Sequence, residues 1–428
     1  MNVICYPSTL NGTVAAIPSK SDAHRKLICA ALSGNGGFLP LRPPFCDDIA
    51  ATIRCLSALG SSFTPSDDGL FVKPFTPQTK AELDCGESGS TLRFLLPVAS
   101  AICNEIAVTG TGRLPDRPIS VLTDEMSLHG VHFSGDRLPF SVTGRLTGGV
   151  YQISGNISSQ FLSGLLMALP LCDADSEIRL TTPLQSAAYV DMTLNTLCAF
   201  GAEIEVTTNE FGCNVYHVKH GGLTMPEQLR IDGDWSNAAF WLTAGAIQKE
   251  RSASITVKGL SLDSLQGDAA VWSILRESGA EVQYENNDFT VKSSCVRAMD
   301  VSMEAIPDLL PILAVKAVYA ESGECSKFVN AERLRLKESD RLRTTAALLT
   351  ALGGKVTEEP AALSVYGGQL RGGIVDGAND HRLVMAAAIA AISAESPVKI
   401  LGAEAVNKSY PTFFDDYQAL GGRCVFEN

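Results

Sequence analysis

A segment that ends at glycine and runs into a short alternating stretch occurs six times in this chain. The copies are SALGSSF (57–63), SLHGVHF (127–133), CAFGAEIEV (198–206), RESGAEVQY (276–284), TALGGKVTE (350–358) and QALGGRCVF (418–426). Their glycines, Gly60, Gly130, Gly201, Gly279, Gly353 and Gly421, stand 70, 71, 78, 74 and 68 residues apart. A second series keeps the same period: Ser21, Ser90, Ser159, Ser236, Asp308 and Asp380 each open an apolar, Ala-rich, helix-like run, at spacings of 69, 69, 77, 72 and 72. Two independent features with one period specify a repeat architecture before any propensity is consulted. Each unit reads helix, strand, loop, helix, glycine, hairpin, with strands such as IAVTG (106–110), SITVKG (254–259) and VKILG (398–402), and hairpins such as FTPSDDGLFV (63–72) and QYENNDFTV (283–291). The glycine suits a helix C-terminus, where a left-handed backbone is cheap only without Cβ.

The period also predicts the domains. The last copy stops after one strand, at Val425, while NVICYP (2–7) is an orphan strand at the start, so the two termini are expected to complete one unit together. Three copies then form a continuous domain, 18–231, and three form a discontinuous one, 1–17 plus 232–428. The chain would cross between them near Ile17 to Lys20 and near Arg230 to Asp234, a two-strand hinge that permits closure and exclusion of water.

Composition narrows the chemistry. Thirty-four Lys+Arg against 47 Asp+Glu give a net charge of −13, which disfavours non-specific binding to nucleic acid or to a membrane surface. The longest apolar run, Leu383 to Ala394, is far below the ~18 residues of a membrane span. The first cation is Lys20, so there is no basic leader segment, and a cytoplasmic location is expected. Twelve cysteines without a CxxC pair read as reduced, mostly buried thiols. His129/His132 and His217/His220 have i, i+3 spacing but no evident Cys or carboxylate partner, so no metal site is expected. Neither GxxxxGK[ST] nor GxGxxG occurs in a suitable context, which argues against a nucleoside triphosphate or a Rossmann cofactor.

Helix N-termini attract anions, and the polar residues of this sequence gather there. The first copy opens with Pro18-Ser19-Lys20-Ser21 and Arg25, the second with Gly86-Glu87-Ser88-Gly89-Ser90-Thr91 and Arg93, the third with Ser158-Ser159-Gln160. The last three supply Asp234, Asp308 and Asp380-His381-Arg382. Each Ser or Asp alone reads as an N-cap. The cations are harder to explain so, because Lys20, Arg25, Arg93 and Arg382 sit in or beside helices expected to be buried, where a cation needs an anion. Loops after the strand in copies two, five and six add Arg113 and Arg117, then Lys337, Glu338 and Arg341, then Lys408.

If equivalent ends of six units face one cleft, these cations converge inside an acidic protein and select one or two phosphorylated or carboxylated small molecules. At an effective dielectric of ~20 a pair about 4 Å apart is worth roughly 4 kcal/mol before desolvation, so several together can offset desolvation and closure. The acid–base candidates are Asp308, Glu338, Lys20, Lys408 and His381. Partial burial at the start of an apolar helix is expected to raise the Asp308 pKa and make it a better base; the plainer reading is an N-cap. Glu338 reads as a proton donor or as an ion-pair partner of Lys337 and Arg341.

With these residues assembled, the chain resembles the 5-enolpyruvylshikimate-3-phosphate synthases, a family of enolpyruvyl transferases, from about residue 3 to 427. The motifs that carry the resemblance are PSKSDAHR (18–25), CGESGSTLR (85–93), GRLPDRPI (112–119), SSQFLSGLL (158–166), IPD (306–308), RLKESDRL (335–342), NDHRLVMA (379–386) and NKSYPTFF (407–414). It implies an α/β fold of two similar domains, each of three βαβαββ-type repeats in an inside-out α/β barrel, with an interdomain active-site cleft. It also implies transfer of the enolpyruvyl group of phosphoenolpyruvate to the 5-hydroxyl of shikimate 3-phosphate by a monomer, with no metal or organic cofactor.

Position by position, the resemblance makes Lys20, Ser21, Arg25, Ser158, Ser159, Gln160, Ser186, Asp308 and Lys337 shikimate 3-phosphate contacts. Phosphoenolpyruvate contacts are Lys20, Gly89, Arg117, Gln160, Arg341, Arg382 and Lys408. Asp308 matches the acceptor of the hydroxyl proton, and Glu338 and Lys408 match groups that move a proton at the methylene carbon. The sister transferases acting on UDP-N-acetylglucosamine carry Asn after the early lysine and a reactive cysteine in the loop at 112–118, where this chain has Ser21 and GRLPDRP. Departures from the family pattern are Glu87 for Asn, Asp22 and His24 for a small residue and Asn, Ala187-Ala188 for Lys-Pro, and Arg333 for Asn. Gly89 leaves room for the herbicide glyphosate, which Gly89→Ala is expected to exclude.

Overall fold

The computed structural model describes residues 1–427. The chain divides into two compact units, one of Met1–Ser19 with Asp232 onward and one of Lys20–Ile231, each with its own hydrophobic core.

In the Lys20–Ile231 unit the second copy shows the plan. Lys80–Asp84 lies parallel to Glu105–Thr109, which pairs antiparallel with Phe140–Gly144, which pairs with Val131–Phe133. The third copy repeats it with Val150–Ile153, Ser176–Leu180, Asn214–Val218 and Ile204–Thr208. The first copy has three strands, Gly37–Leu39, Gly69–Lys73 and Ser62–Ser66. Its parallel edge is a remnant from the end of the third copy, where Leu223 bridges Ser33 and the Asn35 side chain pairs with both backbone groups of Met225.

The other unit has the same plan. Gly12–Ala15 lies parallel to Ser254–Lys258, which is followed across the sheet by Asp288–Lys292 and Glu281–Glu285. Asp300–Ser302, Cys325–Val329, Ala362–Tyr366 and Lys355–Glu359 form the next sheet. In the last, Gly373–Asp376 and Val398–Leu401 are completed by Asn2–Tyr6, which pairs antiparallel with Arg423–Glu427, Val3 opposite Phe426. The orphan first strand and the unfinished last copy thus form one sheet. The parallel edge strand was not among the elements legible from periodicity, and the six sheets remain separate, with no closed barrel of strands among the described residues.

Six helices are buried nearly all round: Lys20–Leu32, Gly89–Ile102, Ser159–Ala168, Trp235–Ala246, Leu310–Val318 and His381–Ile392. Helices without a polar stripe must lie inside, and small residues let them approach. A Cβ on Gly164 would stand 2.2 Å from the carbonyl oxygen of Arg93 on the neighbouring helix. The strands alternate instead, burying Ala81 and Leu83 of Lys80–Asp84 and exposing the residues between. The other helix of each copy is one-sided, as in Asp47–Ala58, and ends in the repeated glycine. All six of those glycines have φ between +83° and +100°, the left-handed region the repeat requires. No helix among the described residues is long and apolar enough to cross a membrane.

Candidate active site

Most of the capping residues of the inner helices lie just before the expected openings. Ser88, Ser158, Asp234 and Asp380 accept from the backbone N–H of Thr91, Gln160, Asn237 and Arg382. Ser21, Ser90 and Ser236, expected to open helices, lie inside them.

Asp308 breaks this pattern. It lies in the single turn Pro307–Leu309, and the helix that follows, Leu310–Val318, has no side-chain cap. The N-cap reading of Asp308 is therefore wrong: its carboxylate is turned to three cations. Oδ1 accepts from Arg341 Nη1 at 2.6 Å and Lys337 Nζ at 3.3 Å, and Oδ2 from Arg382 Nη2 at 3.2 Å. The expected upward pKa shift is corrected too. Burial pushes the Asp308 carboxyl up, but Arg382, Lys337 and Arg341 outweigh it and hold the group well below the usual carboxylate range.

Arg341, 1% exposed, ties this group together. Besides Asp308 it reaches Glu338 Oε2 at 2.7 Å and Asp380 Oδ2 at 2.9 Å, and Asp380 also accepts from Ser339 Oγ at 2.9 Å. Burial favours loss of the Arg341 charge, but Asp380, Glu338 and Asp308 hold the proton on. Asp380 thus caps a helix and anchors a buried arginine with the same carboxylate. Lys408 Nζ donates to the Asn379 carbonyl at 2.7 Å, and His381 lies buried one residue beyond Asp380. In this unit the fold brings together Asp308, Lys337, Glu338 and Arg341 of the fifth copy and Arg382 of the sixth.

The Lys20–Ile231 unit assembles a second set. Lys20 Nζ meets Asp48 Oδ2 at 2.6 Å. Arg93 Nη1 donates to Gln160 Oε1 at 2.7 Å, and Gln160 Nε2 donates to Ser90 Oγ at 2.8 Å, which fixes the amide between two copies. Arg117 lies against Gly89, while the Glu87 carboxylate packs over Gly112. Arg113 is exposed. Ser159 is buried, and Ser186, also buried, has φ 55° and ψ 46°, a left-handed conformation that costs a non-glycine residue about 1–3 kcal/mol.

Arg25 is engaged by protein: Nε donates to Thr193 Oγ1 at 2.7 Å, Nη1 to the Ser21 carbonyl at 2.6 Å and Nη2 to the Tyr189 carbonyl at 2.7 Å. Each terminal nitrogen still carries a second N–H. His24 Nδ1 pairs with Thr52 Oγ1 at 2.8 Å, Thr52 with Thr91 Oγ1 at 2.7 Å, and Thr91 with the Ser88 cap at 2.8 Å.

Sequence reading missed Asp48, Asp268 and Tyr189, since nothing in the order of residues shows which distant groups the fold brings to a lysine or arginine. It also missed carboxylate neighbours of three histidines: His129 lies 3.5 Å from Glu125, His217 3.4 Å from Glu177 and His220 2.9 Å from Asp175. No group of three or more potential ligands placed to hold a metal ion occurs among the described residues.

The family model for EPSP synthase (3-phosphoshikimate 1-carboxyvinyltransferase) matches residues 4–417. The 3-phosphoshikimate 1-carboxyvinyltransferase of Clostridium kluyveri is 38% identical over 423 residues, covering 97% of this chain and 96% of the relative. That of Clostridium acetobutylicum is 39% identical over 425 residues with the same coverage. An EPSP synthase structure from Acinetobacter baumannii superposes with a TM-score of 0.81 at 23% identity, over 99% of this chain and 100% of that one. The enolpyruvyl transferase NikO from Streptomyces tendae gives 0.77 at 17%, over 99% and 98%. At those identities the two structures show a shared fold.

Proposed function

This chain belongs to the EPSP synthase, or 3-phosphoshikimate 1-carboxyvinyltransferase, family, and from that premise we propose what its polar residues do in the family's reaction. The reaction carries the enolpyruvyl group of phosphoenolpyruvate to the 5-hydroxyl of shikimate 3-phosphate and releases inorganic phosphate. In addition, the 5-oxygen bonds to C2 of phosphoenolpyruvate, the hydroxyl proton passes to an acceptor and C3 gains a proton. In elimination C3 loses a proton, the C2–O bond to phosphorus-bearing oxygen breaks, and phosphate leaves with the proton held by the acceptor.

Asp308 is the acceptor in this reading, and Glu338 and Lys408 handle the proton at C3. Lys20, Gly89, Arg117, Gln160, Arg341, Arg382 and Lys408 take phosphoenolpyruvate. Ser21, Arg25, Ser158, Ser159, Ser186 and Lys337, with Lys20, Gln160 and Asp308, take shikimate 3-phosphate. The observation that carries the reading is the engagement of one carboxylate by Lys337, Arg341 and Arg382. Those cations hold Asp308 ionised but weakly basic. Each one that turns to a substrate phosphate or carboxylate removes a charge that had depressed its pKa, so binding of the anions makes Asp308 a stronger base. The protein is read as a single chain acting in the cytoplasm; light scattering in solution checks the first.

Phosphate release with shikimate 3-phosphate and phosphoenolpyruvate, measured beside Asp308→Ala, tests the assignment. Release that requires both substrates and falls by about 10²–10⁴-fold in the variant supports it, as expected for loss of a general base. A variant within a factor of two of the native rate overturns the role of Asp308, and release with UDP-N-acetylglucosamine as acceptor overturns the substrate assignment.

A further inference from the structure

Arg25 is as buried as Arg341, but the two are held in opposite ways. Arg341 is ringed by the carboxylates of Asp308, Glu338 and Asp380. The hydrogen bonds of Arg25 among the described residues all go to neutral oxygens: Thr193 Oγ1 and the carbonyls of Ser21 and Tyr189. Its Cζ stands 5.1 Å from the centre of the Phe94 ring. All three copies of the unit therefore hold one guanidinium. Asp22, the carboxylate that acts on Arg25, is itself bonded to Lys26 Nζ at 2.7 Å. Burial lowers the Arg25 pKa to about 10 against the pull of Asp22, so the group is charged at neutral pH. A buried cation held by neutral groups is costly, and a bound anion offsets that cost. Thr193 lies on the Ala187–Ala199 helix and is fully buried, so it acts through another side chain rather than on a substrate. Its hydroxyl proton is directed to Ser163 Oγ at 2.8 Å and the Tyr189 carbonyl at 3.0 Å, which leaves a lone pair for the Arg25 Nε–H. The bond at Nε is buried, whereas those at Nη1 and Nη2 are part-buried.

We propose that Thr193 is a positioning residue for the shikimate 3-phosphate subsite: its bond to Nε aims the Arg25 guanidinium, and its neutrality leaves the positive charge for the substrate anion. The proposal rests on the role given above to Arg25. A guanidinium is planar and rigid, so fixing Nε and one ring face sets the direction of the remaining N–H groups on both terminal nitrogens. A carboxylate in place of the Thr193 hydroxyl would hold Nε as firmly but would compete with the substrate for the charge. Removing the hydroxyl leaves a buried Nε–H without an acceptor, and the guanidinium turns to recover one. The effect falls on shikimate 3-phosphate, because Arg25 is not among the groups given to phosphoenolpyruvate.

Steady-state kinetics of the full-length native enzyme, Thr193→Val, Thr193→Ser, Arg25→Met and the Thr193→Val/Arg25→Met double variant decide the matter, each KM being measured with the other substrate saturating. Thr193→Val keeps the shape and removes the acceptor. It is expected to raise KM for shikimate 3-phosphate about tenfold while KM for phosphoenolpyruvate changes less than about twofold. Thr193→Ser restores the oxygen and should bring the first KM back to within about twofold of native. In the Arg25→Met background Thr193→Val should add little, since its effect passes through the guanidinium. If Arg25→Met leaves KM for shikimate 3-phosphate unchanged, the underlying reading of Arg25 fails. If Arg25→Met raises it while Thr193→Val does not, or if Thr193→Val raises both KM values alike, the role of Thr193 fails. Should Thr193→Val not fold, Thr193→Cys replaces it, because sulfur is a weak acceptor. A rise of about two- to fivefold in the same KM is then expected, and no change overturns the proposal.

Discussion

The Arg117 guanidinium lies against the Cα of Gly89, so close that a Cβ on Gly89 would stand 2.5 Å from Nη1 and 2.9 Å from Cζ. The obstructed atoms are the far end of a flexible side chain, so Gly89→Ala should fold with an almost unchanged melting temperature while Arg117 swings away. With Arg117 assigned to phosphoenolpyruvate, KM for that substrate is expected to rise about tenfold, and inhibition by glyphosate to weaken. Unchanged KM and equal inhibition of both forms would remove Arg117 from the site.

Arg335 fixes the loop that carries Lys337 and Glu338. Its Nη1 bridges Asp340 at 3.0 Å and Glu358 at 2.8 Å, Nε donates to the Pro360 carbonyl at 3.0 Å and Nη2 to the Glu359 carbonyl at 2.9 Å. Asp340 in turn caps the Arg341–Ala351 helix. Arg335→Met is expected to cost about 1–3 kcal/mol in urea unfolding, as loss of hydrogen bonds to charged groups does. It should lower kcat about tenfold through misplacement of Lys337 and Glu338, although Arg335 is assigned no substrate contact. Native kcat in a destabilised variant would show that the loop holds its shape without the clamp.

What the sequence made legible was whatever repeats locally. The glycine at the end of each outer helix is readable because one backbone conformation demands one residue type, and the pairing of Asn2–Tyr6 with Arg423–Glu427 follows from counting units. An edge strand such as Asp300–Ser302 was lost because three residues are too few to show alternation. In the candidate site, the cations were found by their implausibility in apolar helices. Of their partners, Glu338 was legible beside Arg341, but Asp48 and Asp380 were not, because they lie 28 and 39 residues from Lys20 and Arg341 and each looks like an ordinary turn or cap residue. The direction of the Asp308 shift was misjudged for the same reason: burial was visible, and the convergence of three cations was not.

His24 stands where the family pattern has Asn, and the imidazole carries a consequence for acid stability. Burial, with Lys20 and Arg25 also opposing the charge against Asp48, lowers it from 6.5 to about 3. The unfolded chain therefore binds a proton that the folded protein refuses, and stability falls as pH drops through 6.5 toward 3. Asn can keep the bond to Thr52 without titrating. In urea unfolding at several pH values, the difference between His24→Asn and native protein should move in the variant's favour by up to ~1.4 kcal/mol per pH unit below 6.5, whatever its value at pH 7. A pH-independent difference would mean that His24 accepts the proton in place.

Lys316 has the same sign in a higher pH window. It lies on the buried Leu310–Val318 helix, 0% exposed, with Nζ donating to the Ser278 carbonyl at 3.1 Å. Burial alone lowers its pKa from 10.5 to about 7. Below the folded value both states are protonated and the ammonium carries its full desolvation cost; between about 7 and 10.5 the unfolded chain holds a proton the folded one has released, so stability rises with pH across that window. Lys316→Met keeps the chain length and removes the charge, and Ser278 O retains the N–H of Arg297 as donor at 3.0 Å. The variant is expected to be more stable than native protein at pH 7 by about 2–4 kcal/mol, less than the whole desolvation cost because one hydrogen bond is lost. That advantage should shrink steadily toward pH 10. Equal urea midpoints at pH 7, or an advantage that does not decline with pH, would show that Lys316 is neutralised by some group other than its own deprotonation.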